Sequence, residues 1–173
     1  MREPVNAGGA PLRPGKGERQ GLGVKFFTGQ YTNKIDAKGR ISVPAPFRAV
    51  VQARGLAGVA LYPSLTHPCI EGCGMDQIDK WAEDQPDNPL PSAREEAISH
   101  LIIGAAREAL FDGGGRIVLP EDFMAKARLT DQGAFVGQGR RFQIWEPRAL
   151  ADAQAAMAQR LFAAARGREG GGS

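Results

Sequence analysis

Asp36-Ala37-Lys38-Gly39-Arg40-Ile41-Ser42-Val43-Pro44 decides the fold, because the chain writes it again as Asp112-Gly113-Gly114-Gly115-Arg116-Ile117-Val118-Leu119-Pro120. Each copy runs Asp, three loop residues ending in Gly, Arg, Ile, a variable residue, an aliphatic residue and Pro. Phe47 and Phe123 follow three residues beyond the two prolines. Positions matched in this order mark an internal repeat, and a repeat settles architecture before any single element does. Asp36 and Asp112 can close a tight turn through their side chains, and Gly39 and Gly115 can take positive φ at no steric cost. After the first turn the alternation is plain: Ile41 and Val43 point to one face, Arg40 and Ser42 to the other. The expected unit is a hairpin that buries its aliphatics and holds an arginine at its mouth.

The chain has 173 residues, room for one domain or two small ones. Each repeat with its flanking strands spans roughly 50 residues, at the lower edge of what buries a self-sufficient core. The two copies should therefore share a core or borrow surface from other protomers. Two cysteines and two histidines leave no disulfide framework and point to a reducing, cytoplasmic compartment. No apolar run approaches a membrane span and no signal peptide is visible, so no membrane partner is expected.

The net charge of +3 is carried by residues 1–25, where Arg2, Arg13, Lys16, Arg19 and Lys25 face only Glu3 and Glu18. Farther on the charges segregate. Residues 26–66 carry Lys34, Lys38, Arg40, Arg48 and Arg54 against Asp36 alone, whereas residues 67–99 are predominantly acidic. A basic face suits a polyanion; a basic hairpin followed by a solvated acidic helix would give the same pattern.

Residues 1–25, rich in Gly, Pro and Arg, read as a disordered basic tail. Strands are expected from Phe26 to Asp36 and from Gly58 to Tyr62, with a helix opened by Pro44 and Pro46 and running to about Arg54. His67, Cys69 and Cys73 fall short of a zinc set and read as incidental loop residues. Helices are expected over Met75–Gln85 and Ser92–Ala106, the second started by a Ser92/Glu95 capping box and packed through Ile98, Leu101, Ile102 and Ala105. The second copy should give strands at Ala109–Phe111 and Ile117–Leu119, a helix over Pro120–Arg128, and a strand pair at Ala134–Gly137 and Phe142–Trp145. A long helix over Pro147–Arg166 offers Leu150, Met157, Leu161 and Phe162 for packing, and frays into the glycines at 170–172. The resulting domain reading is 26–74 for the first unit, 75–105 for a helical connector, 106–148 for the second unit and 149–173 for the terminal helix and tail.

No nucleophile, metal set or phosphate loop accompanies Asp-x3-Arg, so the motif does not read as catalytic, and neither a cofactor nor a small-molecule substrate is expected. As a binding device it makes better sense. Arginine at a hairpin mouth offers a planar fork of donors to phosphate or to a guanine edge, with the aspartate orienting it or closing the turn. A pair of surface salt bridges that merely stabilise two turns would look the same on spacing alone.

The two copies, with the intervening helix and the Val136-Gly137…Phe142-Gln143-Ile144-Trp145 stretch, resemble the MraZ family of bacterial transcriptional regulators over roughly residues 26–148. Two tandem SpoVT-AbrB-type units favour that family over the single-unit AbrB regulators and antitoxins. The resemblance implies an α+β fold: a double swapped-hairpin, AbrB-like β-barrel core with flanking helices, assembled into a homo-oligomeric ring. It also implies a cytoplasmic, nucleoid-associated repressor that binds promoter direct repeats in DNA at the head of the division and cell-wall gene cluster. Carried over, Arg40 and Arg116 are the DNA readers, Asp36, Gly39, Asp112 and Gly115 shape the turns, and Lys38 and Lys34 are phosphate contacts beside the first reader. The second turn has glycines and no lysine, which makes the first the stronger expectation. Readings that stay open are an antitoxin-like AbrB protein, for which one unit and a disordered toxin-binding tail would be expected, and a structural ring former that reads no DNA.

This chain departs from the family pattern in two places. Gly72 and Cys73 stand where the second copy has Ile144 and Trp145, so that strand is expected to be shorter or bent in the first unit. The tail has no counterpart in the family, which suggests a start assigned too far upstream, with Val24 as the candidate true start.

Overall fold

The computed structural model describes residues 25–169. The expectations for the basic tail, the Val24 start and the terminal glycines lie outside them. The order of elements is β1 (Gln30–Lys34), β2 (Arg40–Ser42), α1 (Ala45–Gln52), β3 (Gly58–Pro63), β4 (Ile70–Cys73), α2 (Met75–Glu83) and α3 (Ala93–Ile98). A π-helical turn (Ser99–Ile103) follows, then β5 (Arg107–Leu110), β6 (Arg116–Val118), α4 (Glu121–Ala127), β7 (Gln132–Gly137), β8 (Phe142–Trp145) and α5 (Pro147–Glu169). The fold is α+β. Among the described residues, no helix is long and apolar enough to cross a membrane.

The strands form an antiparallel six-stranded sheet, β1-β7-β8-β4-β3-β5, and a two-stranded ribbon of β2 with β6. This order interleaves the repeats. The first strand of each copy pairs with the longer strand of the other, β1 with β7 and β5 with β3, while β4 and β8 meet in the middle. A local two-fold therefore runs through the sheet, and neither copy completes a core alone. The largest cluster of buried side chains draws on both: Phe27, Ile41, Phe47 and Val59 from the first, Ile117, Phe123, Phe135 and Phe142 from the second. Edge-to-face packing of Phe27 on Phe47 (5.3 Å between centroids) and on Phe142 (5.0 Å) ties α1 to the sheet.

The expected hairpin is corrected by this pairing. Across the first turn only the Ile35–Ile41 bridge forms, and β2 takes β6 as its ladder partner. A three-residue strand has too few backbone groups to select its own neighbour. Packing selects it: pairing Ile41 against Ile117 seals two fully buried aliphatics under the ribbon. Asn33 on β1 holds β2 in place instead, its side-chain amide donating to the Ser42 carbonyl at 2.7 Å.

Four other expectations change. β4 is neither shorter nor displaced; at four residues it equals β8 and pairs with it, Gly72 opposite Phe142. A Cβ on Gly72 would stand 2.2 Å from the Phe142 ring, so the missing side chain makes room for that ring rather than ending the strand. Cys73 lies within β4 and not in a loop, while Cys69 is in the loop just before β4 as expected, and both are buried. The second helix of the connector begins at the Ser92/Glu95 capping box, but α3 gives way to the π-helical turn after Ile98, where Gly104 N donates to Ser99 O at 2.8 Å. The change of pitch turns Ile102 onto the cluster around Tyr62, Cys73 and Ile78, and leaves Leu101 exposed. On α5, Leu150 is buried against Trp145, but Met157, Leu161 and Phe162 are exposed because the helix extends past the sheet that its first turns cover.

Candidate nucleic-acid interface

The two turns are built alike. In the first, Asp36 N donates to Arg40 O (3.0 Å) and Gly39 N donates to Asp36 O (3.0 Å). The Asp36 carboxylate then binds inward: Oδ1 accepts from the amides of Lys38 and Arg40, both at 2.9 Å, and Oδ2 accepts from Arg40 Nε at 2.6 Å. In the second, Oδ1 of Asp112 accepts from the amides of Gly114 and Arg116, both at 2.9 Å, and Oδ2 from Arg116 Nε at 2.9 Å. Gly39 and Gly115 sit at φ +76 and +74, the left-handed region that closes each turn.

These bonds act on the carboxylates as well. The amides of Arg40 and Arg116, reinforced by the arginine side chains, hold Asp36 and Asp112 below the usual carboxylate range despite partial desolvation. Each carboxylate thus stays ionised and locks its arginine through Nε. Among the described residues, the terminal nitrogens of both guanidinium groups form no hydrogen bond. Exposed pairs of this kind contribute little stability; what they supply is orientation.

The ribbon brings the two arginines together. Arg40 lies opposite Val118 and Arg116 opposite Ser42, with Ile41 and Ile117 between them facing the core. Residues opposite each other share a face, so Arg40, Ser42, Arg116 and Val118 lie on the outer one. The arginines are diagonal neighbours, with Cα atoms roughly 7–8 Å apart. Two further bonds extend the ladder into the turns: Val43 N donates to Gly115 O (3.1 Å) and Leu119 N to Gly39 O (2.8 Å). Each turn is therefore tied to the strand of the other copy.

Lys38 sits at the tip of the first turn, exposed. Lys34 is exposed at the end of edge strand β1, paired with Gln132 beside the bridge that joins β1 to β2. Both lie on the polypeptide that leads into the first turn, and neither forms a salt bridge among the described residues.

Arg48 on α1 had no role in the sequence reading. Its Nη1 donates to Val43 O at 2.6 Å, and its guanidinium lies over Gly115 of the second turn, with Nε 2.7 Å from where a Cβ on that glycine would stand. The residue in the same place of the second copy, Met124, covers Gly39 of the first turn, with its sulfur 3.6 Å from the corresponding point. The signal was present as an arginine in one repeat where the other has methionine. Without knowing which turn α1 leans on, that difference carried no meaning.

Cys69 and Cys73 lie away from this face. Burial pushes both thiols up to about 12, so at neutral pH they are protonated and poorly suited to bind a metal. His67 packs on Trp145 in a tilted contact, with ring centroids 5.3 Å apart. Nearby, Gln143 bridges Glu71 and Trp145: its Nε2 donates to Glu71 Oε1 at 2.7 Å and its Oε1 accepts from Trp145 Nε1 at 2.8 Å. This buried network fastens β4 to β8 at the local two-fold.

A family model described as "MraZ protein, putative antitoxin-like" matches residues 102–168, from the π-helical turn through α5. The Transcriptional regulator MraZ of Parvibaculum lavamentivorans is 46% identical over 132 residues, covering 74% of this chain and 80% of that protein. The protein of the same name from Rhodospirillum rubrum is 42% identical, covering 73% of this chain and 83% of its own length. That of Rickettsia bellii is 40% identical over 136 residues, 79% of this chain and 90% of the relative.

Proposed function

The chain belongs to the MraZ family, and we propose that it is a sequence-specific DNA-binding transcriptional regulator that reads promoter direct repeats with Arg40 and Arg116. The family is one of transcriptional regulators and not of enzymes. The observation that carries the reading is the pairing of β2 with β6, which sets two carboxylate-locked arginines on one exposed face.

A two-stranded ribbon fits the major groove, and arginine is well matched to the guanine O6/N7 edge. The separation of roughly 7–8 Å between the arginine Cα atoms spans about two base-pair steps of roughly 3.4 Å. One ribbon would then contact two bases separated by about one, with Lys38 and Lys34 on the flanking phosphates. The two units would act as a swapped-hairpin pair, each completing the other's turn, and residues 26–74 and 106–148 would be halves of one reading head joined by the 75–105 connector.

One such head neutralises few phosphates and would bind weakly. Repeated sites engaged by several heads in a ring would raise the effective concentration and make binding steep in salt. The exposed Met157, Leu161 and Phe162 on α5 favour assembly, because a second copy covering them would remove a large apolar surface from water. In this reading the protein is a cytoplasmic, nucleoid-associated repressor of the division and cell-wall gene cluster.

The test is a gel shift on the duplex immediately upstream of the chain's own coding sequence. Wild-type protein should form discrete complexes. Arg40→Ala and Arg116→Ala should each weaken them by about 5- to 150-fold, the loss of one bidentate base contact of about 1–3 kcal/mol per ribbon. Retention of full binding by both variants at moderate salt would refute the ribbon as the reader.

A further inference from the structure

The two turns carry unequal charge in the sequence. The first has Lys38 at its tip; the second has Gly114 in that place, with the same amide-to-carboxylate bond beneath it. The fold compensates from the opposite copy. Arg48, half-buried on α1, lays its guanidinium over Gly115, while Met124, its counterpart on α4, brings only a thioether to Gly39. One Arg48 nitrogen is committed to Val43 O, and Arg48 forms no salt bridge among the described residues. A cation held by its bond to Val43 O is oriented, and here it lies against Gly115, the residue next to Arg116 in the second turn.

We infer that Arg48 and the second turn form a phosphodiester-binding subsite, in which Arg48 takes the place that Lys38 holds at the first turn. The inference rests on the DNA-binding reading above and goes beyond it, since it assigns backbone-phosphate binding to a residue outside the repeated motif. Gly115 is what makes the subsite possible. A side chain there would displace the guanidinium, because even a Cβ would come within 2.8 Å of Nε, Cδ and Cζ together. Each ribbon end then has one reading arginine and one phosphate cation, from the turn itself at the first end and from the neighbouring helix at the second. The ribbon would be balanced across its local two-fold although the two copies of the motif are not.

The same geometry supplies a rescue. A Cβ on Gly114 would be in ordinary contact with Asp112 Oδ1 (3.4 Å) and Arg116 Nε (3.7 Å), so a lysine fits where Lys38 stands in the first turn. Binding of a labelled duplex from upstream of the chain's own coding sequence, and of a scrambled duplex, is measured by anisotropy from 50 to 300 mM salt. For R48M the slope of log affinity against log salt should be shallower by about 1 per bound ribbon, with both duplexes weakened alike. R48M/G114K should restore the wild-type slope, whereas R116A should lose discrimination between the duplexes. If R48M disturbs folding, seen as a lowered melting midpoint, R48Q keeps a donor for Val43 O, lacks the charge and should give the same shallower slope. A wild-type slope in the folded R48M or R48Q protein, or no rescue by G114K, overturns the subsite and leaves the ribbon reading intact. Wild-type binding by both R40A and R116A removes the ribbon reading and the subsite with it.

Discussion

The two turns share every hydrogen bond that orients the arginine and differ in what covers them. Asp36 and Asp112 each accept two backbone amides and one guanidinium Nε in the same pattern. Around that constant frame, the first turn has a lysine at its tip and Met124 behind it; the second has glycines and Arg48 behind it. Duplication preserved the part that depends only on local backbone and let the surroundings diverge. It follows that the motif cannot be judged copy by copy. The turn that looks poorer in the sequence receives its second cation from the copy that looks richer.

The largest test of this equivalence is under the ribbon. Ile41→Ala and Ile117→Ala should each cost about 2–5 kcal/mol, and to a similar extent, because the two side chains are paired and fully buried at the local two-fold. Urea denaturation midpoints check it, and a mild effect at one site alone would mean that the halves do not share their centre. Next come the glycines. Gly39→Ala and Gly115→Ala both force a non-glycine residue to positive φ, a strain of about 1–2 kcal/mol visible in thermal melts. Only Gly115→Ala should also flatten the salt dependence of DNA binding, since only there does the new methyl group meet a guanidinium. Equal salt slopes for the two variants would erase the distinction drawn between the turns.

The smallest effect is expected from acid. Because the folded-state pKa values of Asp36 and Asp112 are depressed, the turns' contribution is complete above the ordinary carboxylate value of about 3.9 and is lost as pH falls through the lower folded value. The melting midpoint of D36N or D112N should therefore lie below wild type near pH 6 and approach it as the pH drops below the ordinary carboxylate value. A gap that persists undiminished in acid would show that ionisation is not what closes the turns. Separately, Phe162→Glu on the exposed face of α5 should reduce the assembled mass in light scattering while leaving the melting midpoint of the protomer nearly unchanged. A wild-type mass would remove that face from the proposed ring contact.

Much of the local structure was legible. Asx-type turns with a final glycine, prolines placed before α1 and α4, and the Ser92/Glu95 capping box are written within a few residues of where they act. Their partners are close in the chain, so the competing conformations are few. Legibility failed where the partner was distant. The first turn looked like a hairpin because its strands are adjacent in sequence, yet β1 went to β7 and β2 to β6. Gly72 looked like a broken strand because the Phe142 ring that fills its place belongs to the other copy. Leu101 looked buried because an α-helical period was extended through residues that adopt a π-helical turn.

For the repeated stretch itself, residues 36–40 and 112–116 were sufficient to set the turns: a carboxylate within reach of amides two and four residues ahead, and a glycine that accepts positive φ, close the same loop wherever they occur. What only the tertiary structure decided is which strand each turn would meet. A three-residue strand offers the same N–H and C=O groups to any neighbour, and burying Ile41 against Ile117 made the choice. That choice put Arg40 and Arg116 on one face and laid Arg48 over a turn from the other half of the chain.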